Sequence, residues 1–292
     1  MKLLICSDGH AAAEHALRFI SRTAAACQAE VTLLGIIENP GDEAPLVEAL
    51  RKAAGVLRER GVVVETVTRP GQPIEQIRAR TAEIQYDFVV IGGEVRREGA
   101  FALSSKAYHL IKQIEPPVLV VVGDRPDLHR VLLCTGGGRS IGAAVDLTGR
   151  ISCKANLEIM LFHVLPEAPV IYGTFMNCEE QAEQLLSSNS ALGKNLRTHK
   201  ASLEAVGARV SVKVCSGTVP ARILQEIREG DYDLIVTGSA PRRGAMHTYM
   251  LGNITSEIVN RARTPVMVVR GTTTAAAEGL GRRLWRKLFA SG

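Results

Sequence analysis

The sequence predicts an α/β protein made of two tandem doubly wound domains, each built on a parallel sheet, and three observations predict it. Short apolar runs rich in Val, Ile and Leu alternate with longer segments of helical periodicity, the pattern of strands joined by helical crossovers. The second half also repeats the first. Leu133-Cys134-Thr135-Gly136-Gly137 answers Ile5-Cys6-Ser7-Asp8-Gly9, the run Tyr232 to Gly238 answers Tyr86 to Gly92, and Pro265-Val266-Met267-Val268-Val269 answers Pro117-Val118-Leu119-Val120-Val121. Between the halves, Gly123-Asp124-Arg125-Pro126-Asp127 has the glycine, proline and charge of a linker. The expected division is a first domain over 1–123, a linker over 124–129, a second domain over 130–270 and a tail over 271–292.

Each element follows from local pattern. A strand (Lys2 to Ser7) leads through Asp8-Gly9-His10 into an Ala-rich helix (Ala11 to Ala26) with apolar positions at helical spacing. A strand at Val31 to Ile37 ends at the loop Asn39-Pro40-Gly41, and a helix from about Ala44 to Arg60 precedes a strand at Val62 to Thr68. After the Pro70-Gly71 turn come a helix at Pro73 to Ile84 and a strand at Phe88 to Ile91. A loop, a helix through Leu110 and the strand Pro117 to Val122 close the half. Such alternation implies right-handed crossovers and a parallel sheet covered on both faces. In the second half the extra length falls near Pro166 to Cys178, which reads as an enlarged loop before one long helix from Glu179 to Val206.

Composition bounds the function. The chain of 292 residues, 46% hydrophobic, is long and apolar enough for two cores. Its six cysteines (Cys6, Cys27, Cys134, Cys153, Cys178, Cys215) show no C-x-x-C pair or metal-like spacing and read as buried, reduced thiols of a cytosolic protein. No secretory leader pattern opens the sequence and no apolar run reaches the ~18 residues of a membrane span, so the expectation is a cytoplasmic protein. The net charge of +5 and the lack of aromatics interleaved with basic clusters argue against nucleic acid as a partner.

The stretch from Asp231 to Thr255 concentrates the functional signal. An apolar strand (Leu234 to Thr237) runs into Gly238 and Ser239, then a basic loop with Arg242 and Arg243, then Gly252-Asn253 and the helical segment TSEIVNRA. A helix opening after a glycine-rich loop offers unpaired N–H groups and a positive dipole end, which together favour phosphate. The stretch resembles the nucleotide loop of the universal stress protein family, G-x2-G-x9-G-[ST], followed by a helix and a Pro-Val-x-Val-Val strand. Pro241 stands in place of the second glycine, the Gly238 to Gly252 interval is one residue longer than the pattern, and Asn253 replaces the hydroxyl residue.

The resemblance implies an adenine nucleotide α-hydrolase-like fold, with five strands per domain in the order 3-2-1-4-5 and the domains paired through their last strands as an intramolecular pseudo-dimer, with a homodimer of whole chains in view. It also implies binding of ATP, with or without Mg²⁺, in a stress-response or regulatory role rather than an enzymatic one. The competing reading is a scaffold or interaction module whose pockets hold no nucleotide. Weak ATP hydrolysis stays open. The best phosphate contacts are Gly238, Ser239, Gly252 and Asn253, with Ile254 and Thr255 beside them and Arg242 and Arg243 adding charge. Val164, and Ile36 in the first half, would wall the adenine; Gly92 is the first-half counterpart of Gly238. The family acid matches Asp8, which reads equally as a ribose contact or a helix N-cap, while the second half has Gly136 there. The first half thus keeps the acid and the second most of the phosphate loop.

Nothing in the sequence argues for catalysis: there is no G-x-S-x-G, H-E-x-x-H or full Walker pattern, and His163 and His247 read as polar linings. In the tail, Gly279 to Phe289 places Leu280, Leu284, Trp285, Leu288 and Phe289 on one helical face and Arg282, Arg283, Arg286 and Lys287 elsewhere. Such a basic amphipathic segment reads as an element that contacts a membrane surface or a protein partner, or that packs on its own domain.

Overall fold

The computed structural model describes residues 1–93, 105–125, 127–137, 141–166, 177–239 and 253–271. In the first half, β1 (Lys2–Ser7), β2 (Glu30–Ile37), β3 (Val63–Pro70), β4 (Phe88–Gly93) and β5 (Val118–Val122) alternate with α1 (Ala11–Ala26), α2 (Glu43–Glu59), α3 (Pro73–Glu83) and α4 (Ser105–Gln113). The second half supplies β6 (Arg130–Thr135), β7 (Glu158–Leu165), β8 (Arg209–Ser216), β9 (Leu234–Ser239) and β10 (Val266–Arg270). Its helices are α5 (Gly142–Ala155), α6 (Cys178–Ser187), α7 (Ala191–Glu204), α8 (Val219–Glu229) and α9 (Asn253–Arg261).

These strands form one ten-stranded sheet in the order β3-β2-β1-β4-β5-β10-β9-β6-β7-β8. Every pair within a half is parallel, and the halves meet antiparallel where Leu119 lies opposite Met267. Both seam strands are among the most apolar in the chain, and Leu119 and Met267 have no exposed surface. Two unpaired edges of that composition would invite pairing with other chains; each seals the other instead. Ion pairs reinforce the seam from the strand starts. Asp87 accepts the Lys2 N–H and meets Arg150 of α5 at 2.7 Å, and its repeat Asp233 accepts the His129 and Arg130 N–H groups and meets Arg125 at 2.9 Å.

The repeat also preserves a buried tyrosine while inverting the charges around it. In the first half the Tyr86 hydroxyl accepts from Arg80, which pairs with Glu65. In the second half the Tyr232 hydroxyl donates to Glu226, which pairs with Lys213 at 2.6 Å. A phenol hydroxyl can donate or accept, so one scaffold accommodates either sign.

Four readings of the sequence need correction. Gly238 and Ser239 belong to β9, pairing with Val269 and Arg270, rather than opening a turn after Thr237, and β4 likewise continues through Gly93. The long helix expected from Glu179 to Val206 is two helices. Ser190 accepts the Gly193 N–H at 3.0 Å as the cap of α7, and Ser188 bonds back to Leu185, so the hydroxyls between them take over helix-end groups and break the run. Asp8 is not an N-cap: His10 holds that position, and Asp8 Oδ1 accepts the His10 N–H at 2.9 Å in a turn just before the helix. Finally, Cys178 and Cys215 are joined in a disulfide, because α6 lies against β8 and brings together two residues 37 apart in sequence. Cys6 and Cys134 are buried thiols, as expected.

Candidate functional site

In each half the strand order reverses between the first and fourth strands, so a crevice opens at their carboxyl ends. The antiparallel seam turns the second half end for end, and the two crevices therefore lie at opposite ends of the sheet. Five inter-strand steps of about 4.8 Å, roughly 24 Å in all, separate β1 from β6 across the sheet. The candidate residues thus divide into two groups that never meet. Asp8, Ile36 and Gly92 belong to the first crevice; Gly136, Val164, Gly238, Ser239, Asn253, Ile254 and Thr255 belong to the second. Arg242, Arg243 and Gly252 lie outside the described residues, as do Arg96, Arg97, His247 and the tail beyond Gly271.

The strand-one turns share one design. Ser7 Oγ accepts the Gly9 N–H at 3.2 Å in the first half, and Thr135 Oγ1 accepts the Gly137 N–H at 2.9 Å in the second. Gly9 and Gly137 both have positive φ, +80° and +75°. Asp8 projects from the first turn with 60% of its side chain exposed, available to an incoming hydroxyl. At Gly136 the second turn offers no carboxylate, and a methyl group there would meet nothing within 4 Å.

The ends of the fourth strands differ more. At Gly92 a methyl group would lie 2.3 Å from the Ala12 carbonyl oxygen and 2.8 Å from the Ala13 nitrogen, because the first turn of α1 rests directly on the strand. At Gly238 the nearest obstacle among the described residues is the Ile141 Cδ1 tip at 3.0 Å. Ser140, which the repeat sets opposite Ala12, lies outside the described residues. The first crevice is closed at this point by backbone.

Helix α9 completes the second crevice. Thr255 is buried and its hydroxyl donates to the Gly238 carbonyl at 2.9 Å, which ties the first turn of α9 to the end of β9. That hydroxyl is therefore committed to the fold, and what the helix end presents to a ligand is backbone N–H and dipole. Ile254, 39% exposed, stands at the rim. Val164 and Ile36 are buried at the ends of the second strands and contribute wall.

One wall of this crevice joins a strand-end histidine to residues of α7 that are distant in sequence. His163 Nδ1 lies 2.8 Å from the Thr135 carbonyl oxygen, which can only accept, so Nδ1 carries a proton and donates it there. Asn195 of α7 donates to the Gly137 carbonyl at 2.8 Å, and a methyl group at Gly137 would fall 2.3 Å from Leu192 Cδ1. His163 was visible as a polar residue ending a strand. Asn195 and Leu192 reach the turn from an element distant in sequence and carry no motif.

The chemistry on offer is binding. Burial pushes the Cys134 thiol up to about 12, with the Glu226 carboxylate adding to the rise, so it is neutral and a poor nucleophile. Among the described residues no group of three or more His, Cys, Asp or Glu side chains is placed to hold a metal ion, and no helix is long and apolar enough to cross a membrane.

The model of the universal stress protein family matches residues 1–122 and again 128–270. A universal stress protein of Mycolicibacterium smegmatis is 25% identical over 299 aligned residues, covering 92% of this chain and 96% of that one. Among solved structures, a universal stress protein from Archaeoglobus fulgidus superposes with a TM-score of 0.71 at 19% identity, covering 92% of this chain and 98% of its own. A functionally unknown protein from Pseudomonas aeruginosa gives 0.66 at 17% identity over 97% of each chain. At such identities the structural likeness speaks for the fold.

Proposed function

The chain belongs to the universal stress protein family, and from that premise we propose that it is an adenine-nucleotide-binding regulatory protein that holds ATP in the second crevice. The observation that carries this is the end of β9, where the Thr255 hydroxyl donates to the Gly238 carbonyl at 2.9 Å and so holds the N-terminal turn of α9 alongside the strand end. The triphosphate would lie on the N–H groups of that turn, with Gly252 admitting it closely and Arg242 and Arg243 neutralising the remaining charge, and Mg²⁺ accompanying it. Val164 would border the adenine. The first crevice, with backbone pressed onto Gly92, is the weaker site despite Asp8.

The role is binding rather than turnover, in a cytoplasmic protein whose two halves act as an intramolecular pseudo-dimer and which can pair further as a homodimer. Pro241 removes a donor N–H and Gly136 offers the sugar no carboxylate. Losing one or two hydrogen bonds at about 1 kcal/mol each weakens binding roughly ten- to hundredfold and places it in the micromolar range.

Mass spectrometry of small molecules released on denaturing the purified protein, followed by calorimetric titration of ATP with Mg²⁺, tests the proposal. Gly252→Glu should remove most of the heat and Asp8→Ala little. Retention of no nucleotide, together with no heat from ATP, would establish the scaffold alternative instead.

A further inference from the structure

The second half carries one helix that the first half lacks. Between the second and third strands the first half has α2, preceded by a single 3₁₀ turn (Pro40–Asp42), whereas the second half has the two α-helices α6 and α7. Helix α7 stands where α2 does, since Leu192 approaches Gly137 as Leu46 approaches Gly9. Helix α6 is therefore the addition. A capping box at Asn177 and Glu180 starts it, and Ser216 of β8 donates to Gln181 at 2.9 Å.

Its position is unusual because it straddles the sheet edge. Neighbouring residues of a strand point to opposite faces, and α6 engages both faces of β8 in turn. Cys178 packs with Cys215 and Ile223 on one face, while Ala182 and Leu185 join Val214 and Leu196 on the other. Helix α6 thus wraps the terminal strand β8, pinned at its first residue by the Cys178–Cys215 bond. At the equivalent place on β3, Arg69 lies opposite Ile36 as Cys215 lies opposite Val164, and there an Arg69–Glu83 ion pair at 2.6 Å joins β3 to the helix that follows it, α3.

We propose that Cys178–Cys215 is a thiol–disulfide exchange site, opened by a dithiol reductant and closed by a disulfide oxidant, whose state decides whether α6 is fastened over the β8 edge. Cys178 is partly exposed at the helix start, whereas Cys215 is 4% exposed, so exchange enters at Cys178. A reductant thiolate attacks Cys178 Sγ, the bond between the two cysteines breaks, and Cys215 leaves as a thiolate and takes up a proton. The second thiol of the reductant then attacks the mixed disulfide and releases Cys178, leaving the reductant as a disulfide; two electrons and two protons have passed to the protein. After reduction the far end of α6 is still held, since Arg197 of α7 donates to the Leu186 and Ser188 carbonyls, while its first turns keep the Ser216–Gln181 hydrogen bond and the packing of a short ten-residue helix, which does not persist by itself in water. Reduction therefore loosens the helix from its first turn and uncovers the β8 edge there.

The test uses the full chain, oxidised with oxidised glutathione or reduced with dithiothreitol, then alkylated and digested, with hydrogen exchange followed in each state. The oxidised protein should yield a linked Cys178–Cys215 peptide pair. Reduction should alkylate both and speed exchange of the α6 amides at least tenfold, leaving β1 and β6 unchanged. A Cys215→Ser variant should show the fast α6 exchange in both conditions, while Cys27→Ser should behave as wild type. Glutathione retained on Cys178 without closure, or full reduction with α6 exchange unaltered, would overturn the proposal.

Discussion

Replacing Gly92 by alanine puts a methyl carbon 2.3 Å from the Ala12 carbonyl oxygen and 2.4 Å from its carbon, where unstrained carbon contacts begin near 3.5 Å. The obstacle is helix backbone, so the first turn of α1 must retreat by about 1 Å, taking with it Ala13, Ala16 and Leu17, all buried against the sheet. Overpacking against side chains costs roughly 1–3 kcal/mol, and an immovable neighbour places this change at the upper end, about 3 kcal/mol. The same substitution at the repeat position, Gly238→Ala, meets, among the described residues, the Ile141 Cδ1 at 3.0 Å, which rotates aside for less than about 1 kcal/mol. For units of this size 1 kcal/mol is about 2–4 °C, so Gly92→Ala should lower the Tm of its unfolding transition by roughly 6–12 °C and Gly238→Ala by no more than about 4 °C. Scanning calorimetry of both variants beside wild type decides the matter. Equal losses, or a larger loss at Gly238, would refute the reasoning that the immovable backbone at Gly92 makes it the costlier of the two sites. ATP titration adds a second reading, because Gly238→Ala should weaken nucleotide binding in a protein whose fold is nearly undisturbed.

Glu226→Ala strands the Lys213 ammonium and the buried Tyr232 hydroxyl, and a loss of about 3 kcal/mol is expected in urea unfolding, whereas alanine at the exposed Glu83 should change little. Burial holds the His199 imidazole below its ordinary 6.5, and its Nδ1 has no hydrogen-bond partner among the described residues. The unfolded chain therefore takes up a proton that the folded one refuses; stability is full above about pH 6.5 and falls as pH drops towards the depressed folded value, and His199→Leu should flatten that slope in unfolding curves recorded from pH 5 to 8. Removing Gly279 to Gly292 should leave the circular dichroism spectrum unchanged but weaken either partition onto anionic vesicles or assembly measured by light scattering; neither changing would remove the tail from the list of contact elements.

Much of this protein was settled by sequence alone. The repeat of Ile5-Cys6-Ser7-Asp8-Gly9 as Leu133-Cys134-Thr135-Gly136-Gly137 fixed two copies of one α/β unit, because strand and helix periodicities are local properties that survive wherever the chain goes. Gly9 and Gly137 recur at the same place in that repeat, and the structure shows why: both turns need a positive φ. Tertiary structure decided what depends on neighbours remote along the chain. The antiparallel meeting of Leu119 with Met267 sent Asp8 and Gly238 to opposite ends of the sheet, a separation that no list of motif residues contains. Cys178 and Cys215 read as unrelated thiols until α6 folded across β8, and nothing in the residues around Gly92 announces that the Ala12 carbonyl oxygen stands 2.3 Å from where a methyl group would lie. Periodicity encodes which surface each element buries; it does not encode which surface it will be buried against.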